Sequence, residues 1–286
     1  MVNDETIIER SRHALHTQWS EILRLRRTVL DTWELEDIHD LRVASRRFRA
    51  ALNLLAPFVS PKKAATLQKR VRKLTRALGG LRNMDEARAF FVSSLSSETS
   101  PNMSKNGAVI SILSDMRRRE VGKVSKALKA FKPKQFDPLV REILSNLAED
   151  ASPELDMTAF PVYLSNISLK LFRRIHDQLP TVTVPDNTET HHALRIAVKK
   201  WRYFLEIAGH ILGRDYGPDL ECLKNYQSVL GRMNDMVEFT SLCRDLQLEP
   251  VEQHAVEDAL RRESKRLWKR FLDLMVKQPL QHTFCA

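Results

Sequence analysis

The sequence predicts an all-α protein made of two pseudo-symmetric helical bundles of the four-helix type, related by an internal duplication. Apolar residues recur with the spacing of one helix face along almost the whole chain. Only 8 glycines occur among the 286 residues, and the single alternating stretch, 181–185, is short and bounded by prolines, which indicates a connection. A basic segment occurs twice, once in each half, and it is the main evidence for the duplication.

The periodicity predicts helices that follow one another with short connections. Prolines lie near many of the proposed ends, where they are tolerated in a first turn and interrupt a helix further in. The predicted helices span residues 4–33, 37–58, 62–79, 83–97, 107–131, 136–149, 159–179, 188–212, 217–230, 234–247 and 250–276.

We interpret residues 1–286 as a single domain with two related halves, 1–150 and 155–286. The joint is predicted near 149–156, where the sequence EDASPELD combines acidic residues, serine and proline. Each half is long enough to form a helical bundle with its own apolar face.

The repeated basic segment reads HDLRVASRRFRAALNLLAPF at 39–58 and HALRIAVKKWRYFLEIAGHI at 192–211. In a helix, its apolar residues fall on one stripe and its cations on another. The cationic stripes consist of His39, Arg42, Arg46 and Arg49 in the first copy, and His192, Arg195, Lys199 and Arg202 in the second. Stacked like charges destabilise a helix, and a duplicated stripe opened by histidine favours an anion site over a merely solvated face.

A second band of positive charge lies on the next predicted helix of the first half. Between Lys62 and Arg82 the chain has eight basic residues and no acidic one. The band itself consists of Lys69, Arg72, Lys73 and Arg76. The matching positions of the second half are Glu221, Lys224, Asn225 and Ser228, of which only Lys224 keeps the charge. We therefore expect the first half to contribute more of the affinity. Other basic runs, at 117–119 and 261–270, have no assigned role.

Both copies continue into a second shared segment, LGGLRNMDEA at 78–87 and LGRMNDMVEF at 230–239. The Leu-Gly pairs predict helix ends closed by a left-handed glycine, Gly79 or Gly231. Asn83 and Asp235 are then expected to cap the following helices. We interpret these segments as structural turns in preference to ligand sites.

The formal net charge of +10 indicates an acidic partner such as nucleic acid, an anionic membrane or polyphosphate. The three cysteines are widely separated, which is typical of a reduced cytoplasmic protein. We find no signal sequence and no apolar run of membrane-spanning length, so membrane insertion is not expected. No metal-ligand spacing is present, and we expect no cofactor or bound metal.

The paired H-x-x-R-[VI]-x-x-[RK]-[RK]-x-R segments, each followed by the Leu-Gly segment, resemble the CHAD family, the conserved histidine α-helical domain. The resemblance implies two related four-helix bundles and a basic groove or pore that binds inorganic polyphosphate, often at polyphosphate granules. It implies a stand-alone binder, without the β-rich triphosphate-tunnel domain to which family members are often fused. The implied ligand residues, besides the signature histidines His39 and His192, are Arg42, Arg46, Arg47, Arg49, Arg195, Lys199, Lys200 and Arg202.

Two other classes of function remain as alternatives. Single-stranded nucleic acid, or another polyanion, would fit the charge, but its bases need aromatic platforms, and Phe48 and Trp201 fall on the apolar stripes. A phosphate-polymer-processing enzyme would need carboxylates for Mg²⁺ and a phosphate loop, and the loop motif is absent. We therefore expect binding without catalysis. Each histidine can serve either as a ligand donor or as a structural contact.

Overall fold

The computed structural model describes residues 4–95, 107–147 and 159–285. Within these ranges the chain forms nine α-helices and one short 3-10 helix, and it has no strand, so the all-α prediction is confirmed. The helices are α1 Asp4–Thr32, α2 Leu35–Leu54, α3 Pro61–Leu95, α4 Ala108–Ala130, α5 Pro133–Ser145, α6 Phe160–His176, α7 Thr188–Leu212, α8 Gly217–Arg244 and α9 Pro250–Lys277, with the 3-10 helix at Ala56–Phe58.

The ends of α7 show how local sequence sets a helix boundary. At its start, the side-chain oxygen of Asn187 accepts a hydrogen bond from the backbone N–H of Thr190 at 3.2 Å, which satisfies a donor with no partner in the first turn. At its end, Gly213 takes the left-handed conformation with φ of 68°, and the helix stops there. The segment 181–185, predicted to be a connection, forms turns.

The predicted helix ends at the two Leu-Gly pairs are wrong. Gly79 lies in the interior of α3 and Gly231 in the interior of α8, and both helices continue without a break. Asn83 and Asp235 are consequently helix-interior residues and cap nothing. The cost of an interior glycine, about 1 kcal/mol relative to alanine, is outweighed by burial of the neighbouring apolar residues, such as Leu78 at 0 % exposure.

Helices α1 to α4 pack in sequence order, α1 on α2, α2 on α3 and α3 on α4, and α6 to α9 pack in the same order. The motif helices are the second member of each group, and they contact each other as well. Further contacts between the two groups join α1 to α7, α3 to α8 and α3 to α9. The motif helices thus meet near the middle of the molecule.

Two apolar clusters form the core, and each takes residues from both halves of the chain. The larger contains Phe48 of α2 and Trp201 of α7. The smaller contains Phe91 of α3 and Phe239 of α8, whose ring centroids are 6.0 Å apart. The halves are therefore joined by shared packing. The division into 1–150 and 155–286 stays a prediction, and its proposed joint at 149–156 lies outside the described residues.

The contacts between α3 and α8 are reciprocal. The amide of Asn83 donates to Glu238 at 2.8 Å. Desolvation raises the pKa of Asp235, and the charge of Glu86, which is the next largest cause, raises it as well. Asn83 aligns with Asp235 in the repeated segment, and Glu86 aligns with Glu238. Such exchanged pairs are what an approximate twofold axis between duplicated helices produces. The described residues contain no helix long and apolar enough to cross a membrane.

Candidate anion-binding groove

The apolar stripes of α2 and α7 fix where their cations lie. Leu41 and Phe48 on α2 are 0 % exposed, and Leu194 and Trp201 on α7 are 0 % and 1 % exposed. With these faces in the core, the cationic stripes predicted from spacing lie at the border of the core, and their arginines are half-buried.

Four cations from the two motif helices come together. We call Arg42, Arg46, Arg195 and Lys199 the basic cluster. Burial, followed by the positive charges of Arg195, Arg46 and Arg42, lowers the pKa of Lys199 to about 6. Burial, followed by the charge of Arg46, lowers the pKa of Arg42 to about 10. The cluster therefore holds partly desolvated cations that repel one another.

Several nitrogen atoms in and beside the basic cluster have no hydrogen-bond partner among the described residues. They are Nε of Arg42, Nε of Arg195 and Nδ1 of the adjacent His39, and all three are buried. A buried donor without an acceptor is unfavourable, and buried polar groups in folded proteins are normally hydrogen-bonded. Two cationic donors in this condition indicate a place for an anion.

A branch of positive charge runs from the basic cluster to α3. The side chain of Arg49 donates to Gln68 Oε1 at 3.1 Å, and Gln68 donates back to the backbone carbonyl of Arg49 at 2.9 Å. Burial lowers the pKa of Arg49, and the charges of Arg72, Arg46 and Arg76 lower it further. Part of the second basic band is thus continuous with the cluster.

The structure does not join every predicted residue to the basic cluster. Lys69 and Lys73 are exposed on α3, and Lys200 is exposed on α7; no described contact links these three to it. Lys224 pairs with its own neighbour Glu221 at 3.3 Å. Their role as ligand residues stays a prediction.

Glu206 closes one end of the cationic stripe. Its Oε2 accepts a hydrogen bond from Arg47 Nε of α2 at 3.2 Å, and its Oε1 forms an ion pair with Arg202 Nε at 3.2 Å. The same acid therefore partly neutralises two predicted ligand residues, one from each copy of the motif. Arg202 also lies over the ring of Tyr203, 5.5 Å from its centroid.

The two signature histidines have different surroundings. His39 is half-buried, and its pKa is lowered by burial and by the charges of Arg82 and Arg42. His192 is exposed, and its Nδ1 lies 2.6 Å from the side-chain oxygen of Asn234 on α8. Asn234 in turn donates to Glu238 at 2.6 Å. His192 therefore has a structural partner, whereas Nδ1 of His39 has none.

Sequence reasoning missed two charged residues beside the basic cluster. Asp235, interpreted as a helix cap, is half-buried in the interior of α8; its pKa is raised to about 6 by desolvation and by Glu86, an effect that Arg195 opposes. Arg82 forms an ion pair with Glu86, and its charge reaches both His39 and Arg42. Both lie in the repeated Leu-Gly segment, which was the available signal. In the described residues, no group of three or more histidines, cysteines or carboxylates is placed to hold a metal ion.

The fold and the site define an all-helical protein in which two similar helices place their cations in one cluster. The family model described as CHAD domain matches residues 13–244 of this sequence. The chain belongs to the CHAD domain family, and the resemblance inferred from the repeated motif is confirmed.

Two solved structures share this fold over nearly the whole chain. The first is the CHAD domain from the plant Ricinus communis, at 24 % identity and a TM-score of 0.62, covering 96 % of this chain and 88 % of that one. The second is PptA from Streptomyces chartreusis, at 18 % identity and a TM-score of 0.70, covering 94 % of this chain and 99 % of that one. No curated protein sequence matched.

Proposed function

We propose that this protein binds inorganic polyphosphate, without turning it over, at the basic cluster and its branch along α3. The observation that carries the proposal is the pair of buried arginine donors, Nε of Arg42 and Nε of Arg195, that lack an acceptor among the described residues. One comes from each copy of the motif, so a single ligand would engage both halves.

The electrostatics of the basic cluster favour a ligand with closely spaced negative charges. The charges of Arg42, Arg46 and Arg195 disfavour the charged form of Lys199. A bound anion would offset this repulsion. Polyphosphate carries negative charge on every phosphate, and the forked donors of arginine match phosphoryl oxygens. Membership of the CHAD family supports a polyphosphate-related role.

The aromatic residues near the basic cluster favour a bare phosphate chain over single-stranded nucleic acid. Phe48 and Trp201 are 0 % and 1 % exposed, so neither offers a face on which a base can stack. Tyr203, next to Arg202, is 8 % exposed. Proteins that bind single strands combine a cationic groove with exposed aromatic platforms.

The proposal is one of binding, because the carboxylates beside the basic cluster are engaged within the protein. Glu238 accepts hydrogen bonds from Asn83 and Asn234, and Glu86 pairs with Arg82. We further propose that the protein acts in the cytoplasm, at polyphosphate granules.

The test is a titration of long-chain polyphosphate, with single-stranded RNA of equal total charge as the competitor, at fixed salt. The variant Arg42→Gln/Arg195→Gln removes both unpaired donors. It should weaken polyphosphate binding at least about tenfold, since a hydrogen bond to a charged group contributes roughly 1.5–3 kcal/mol. The control Lys126→Gln removes one exposed charge from α4 and should leave binding nearly unchanged.

A second readout separates binding from folding. Because the variant relieves repulsion between buried cations, its melting temperature should be equal to or above that of the wild type. Tighter binding of RNA than of polyphosphate, or unchanged polyphosphate affinity in the folded variant, would reject the proposal. Shortening of the polymer in the presence of Mg²⁺ or Mn²⁺ would reject the non-catalytic part alone.

A further inference from the structure

A cavity of about 860 Å³ lies between the start of α7, α8 and α9. It falls within the range of roughly 300–1,000 Å³ that is typical of small-molecule sites. None of the four residues of the basic cluster lines it. His192 and Asn234 lie at its edge, so the cavity neighbours the proposed polyphosphate site but is a different space.

One wall of this cavity is aromatic and apolar. Trp268 of α9 lines it together with Met233, Met236 and Val237 of α8. The half-buried Trp268 ring is supported by His191, whose ring centroid is 5.4 Å away. Nε2 of His191 lies 2.9 Å from the backbone oxygen of Val182, which fixes the imidazole in place. The wall is therefore a supported platform of the kind against which a flat aromatic ring stacks.

A second wall is cationic. Arg244, in the last turn of α8, and Lys265, on α9, both line the cavity and are exposed. Neither has a carboxylate partner among the described residues, whereas Arg266 on the same helix pairs with Glu263 at 2.7 Å. Ser264 stands beside Lys265 in the lining. Two cations and a hydroxyl at one end of an aromatic cavity suit a phosphate group.

The remaining rim, formed by the turn before α7 and its first residues, is acidic. Asp186 and Glu189 lie there, and their carboxylates are acceptors for hydroxyl or amino groups. The lining thus combines an aromatic platform, a cationic end and an acceptor rim. A nucleoside phosphate matches these three parts, with its base on the platform, its phosphates at the cations, and its ribose hydroxyls or the exocyclic amine of the base at the acidic rim.

The two repeated segments differ at a residue of this cavity wall. Val237, 48 % exposed, aligns in the repeated segment with Asp85. Asp85 is buried and pairs with Arg117 of α4 at 2.5 Å between Oδ1 and Nε. The exposed apolar side chain at this position is therefore not shared by the two repeated segments, because the matching residue of the first segment is a buried acid in an ion pair.

We propose that this cavity is a second ligand site, which binds a nucleoside phosphate with the base against Trp268 and the phosphates at Arg244 and Lys265. The basic run at 261–270, which the sequence left without a role, supplies the lysine of this site. The proposal goes beyond polyphosphate binding and does not depend on it, since its residues lie outside the basic cluster.

The probes are ATP and tripolyphosphate, which carry the same number of phosphates, titrated without Mg²⁺ by calorimetry. ATP should bind about tenfold more tightly, because stacking of a base on an aromatic side chain contributes enough for that ratio. Trp268→Leu should bring the ratio close to one. Equal affinities of the two probes for the wild type would overturn the proposal.

A second variant guards against misfolding of Trp268→Leu. Arg244→Glu/Lys265→Glu changes two exposed residues and should weaken ATP binding at least about tenfold, with an unchanged circular dichroism spectrum. Lys269→Glu, a matched charge reversal on the same helix but outside the cavity, should retain the wild-type affinity. Unchanged ATP affinity in the double variant, or an equal loss in the control, would overturn the assignment of the phosphate end.

Discussion

The carboxylate of Glu206 lies 3.2 Å from Nε of Arg47, and this ion pair joins the two motif helices, α7 and α2. The same carboxylate lies 3.2 Å from Nε of Arg202 on its own helix. An acid from the protein thus lies between two arginines that are predicted ligand residues, so under the proposed function it would compete with phosphate for them. Removing the charge of Glu206 therefore tests whether the proposed ligand, polyphosphate, uses these two arginines.

We predict that Glu206→Gln raises the affinity for polyphosphate by about two- to fivefold, the size expected for releasing partly exposed ion pairs. The amide keeps the shape of the side chain but frees both arginines for the ligand. The measurement is a polyphosphate titration at fixed salt, with Asp273→Asn, which removes the exposed partner of Lys277, as the control. Weaker binding in a folded Glu206→Gln protein would show that Glu206 positions the arginines instead of competing for them.

Proton uptake should accompany polyphosphate binding. With a pKa of about 6, Lys199 is largely neutral at pH 8, and phosphates placed beside it raise that pKa. Asp235, whose pKa is also about 6, responds in the same direction, since a nearby polyanion favours its protonated form. Affinity should therefore increase as the pH falls from 8 to 6.

Calorimetry in buffers of different ionisation enthalpy measures this uptake directly. Lys199→Met should abolish the proton uptake that is due to the lysine and leave the uptake that is due to Asp235. The other charges facing Lys199, from Arg42, Arg46 and Arg195, remain charged throughout this pH range. Proton release on binding, or an affinity independent of pH, would contradict the prediction.

Lys199→Met should also raise the melting temperature of the ligand-free protein. The folded-state pKa of Lys199 is far below its ordinary value of 10.5, so burial of the charged form opposes folding. This penalty is fully present below about pH 6 and shrinks as the pH rises towards 10.5. The gain in melting temperature should therefore be larger at pH 6 than at pH 8. A variant that is less stable than the wild type at both values would show that the lysine stabilises the fold.

Charge reversal in the first motif should weaken binding more than in the second. Arg49 lies close enough to Arg46, and to Arg72 and Arg76 on α3, for their charges to lower its pKa. The positive surface of the first motif therefore extends onto α3, and Arg42→Glu/Arg46→Glu interrupts it where it leaves the basic cluster. The comparison is with Arg195→Glu/Lys199→Glu, by polyphosphate titration at fixed salt, after circular dichroism has shown both to be folded. Equal losses from the two pairs, or a larger loss from the second, would contradict the expectation.

Alanine at Gly79 or Gly231 should stabilise the protein by about 0.5–1 kcal/mol each, because both glycines are helix-interior. A β-carbon at either position would meet no atom within 4 Å. Gly213→Ala is the contrasting variant and should be destabilising, since φ is +68° there. Thermal and chemical denaturation measure all three. Destabilisation at Gly79 and Gly231 would instead support the turns that the sequence suggested.

The long helical periodicities were sufficient to predict the fold class and, for α7, both ends. They failed at Gly79 and Gly231, because a Leu-Gly pair carries the same local signal in a helix interior as at a helix end. Tertiary burial of Leu78 and Leu230 decided the outcome, and a single sequence does not show it.

The cationic stripes were predictable from residue spacing alone. Spacing did not predict that the pKa of Lys199 is lowered, that Glu206 lies between two arginines or that Asp235 is half-buried beside the cluster. Each depends on how closely α2, α7 and α8 approach one another, which the spacing within one helix does not determine. The packing of the three helices, and not the sequence of any one of them, determines which charged groups lie beside the basic cluster.

The reciprocal contacts of α3 and α8, together with cores drawn from both halves, carry an evolutionary consequence. A single-copy ancestor of this fold would have had to assemble as a homodimer, because one copy alone leaves the shared apolar clusters half-formed. In such a dimer every substitution is imposed on both subunits. If the halves arose by the duplication that the repeat predicts, covalent fusion would remove that constraint and allow one copy to pair Asp85 with Arg117 while the other places Val237 on a cavity wall.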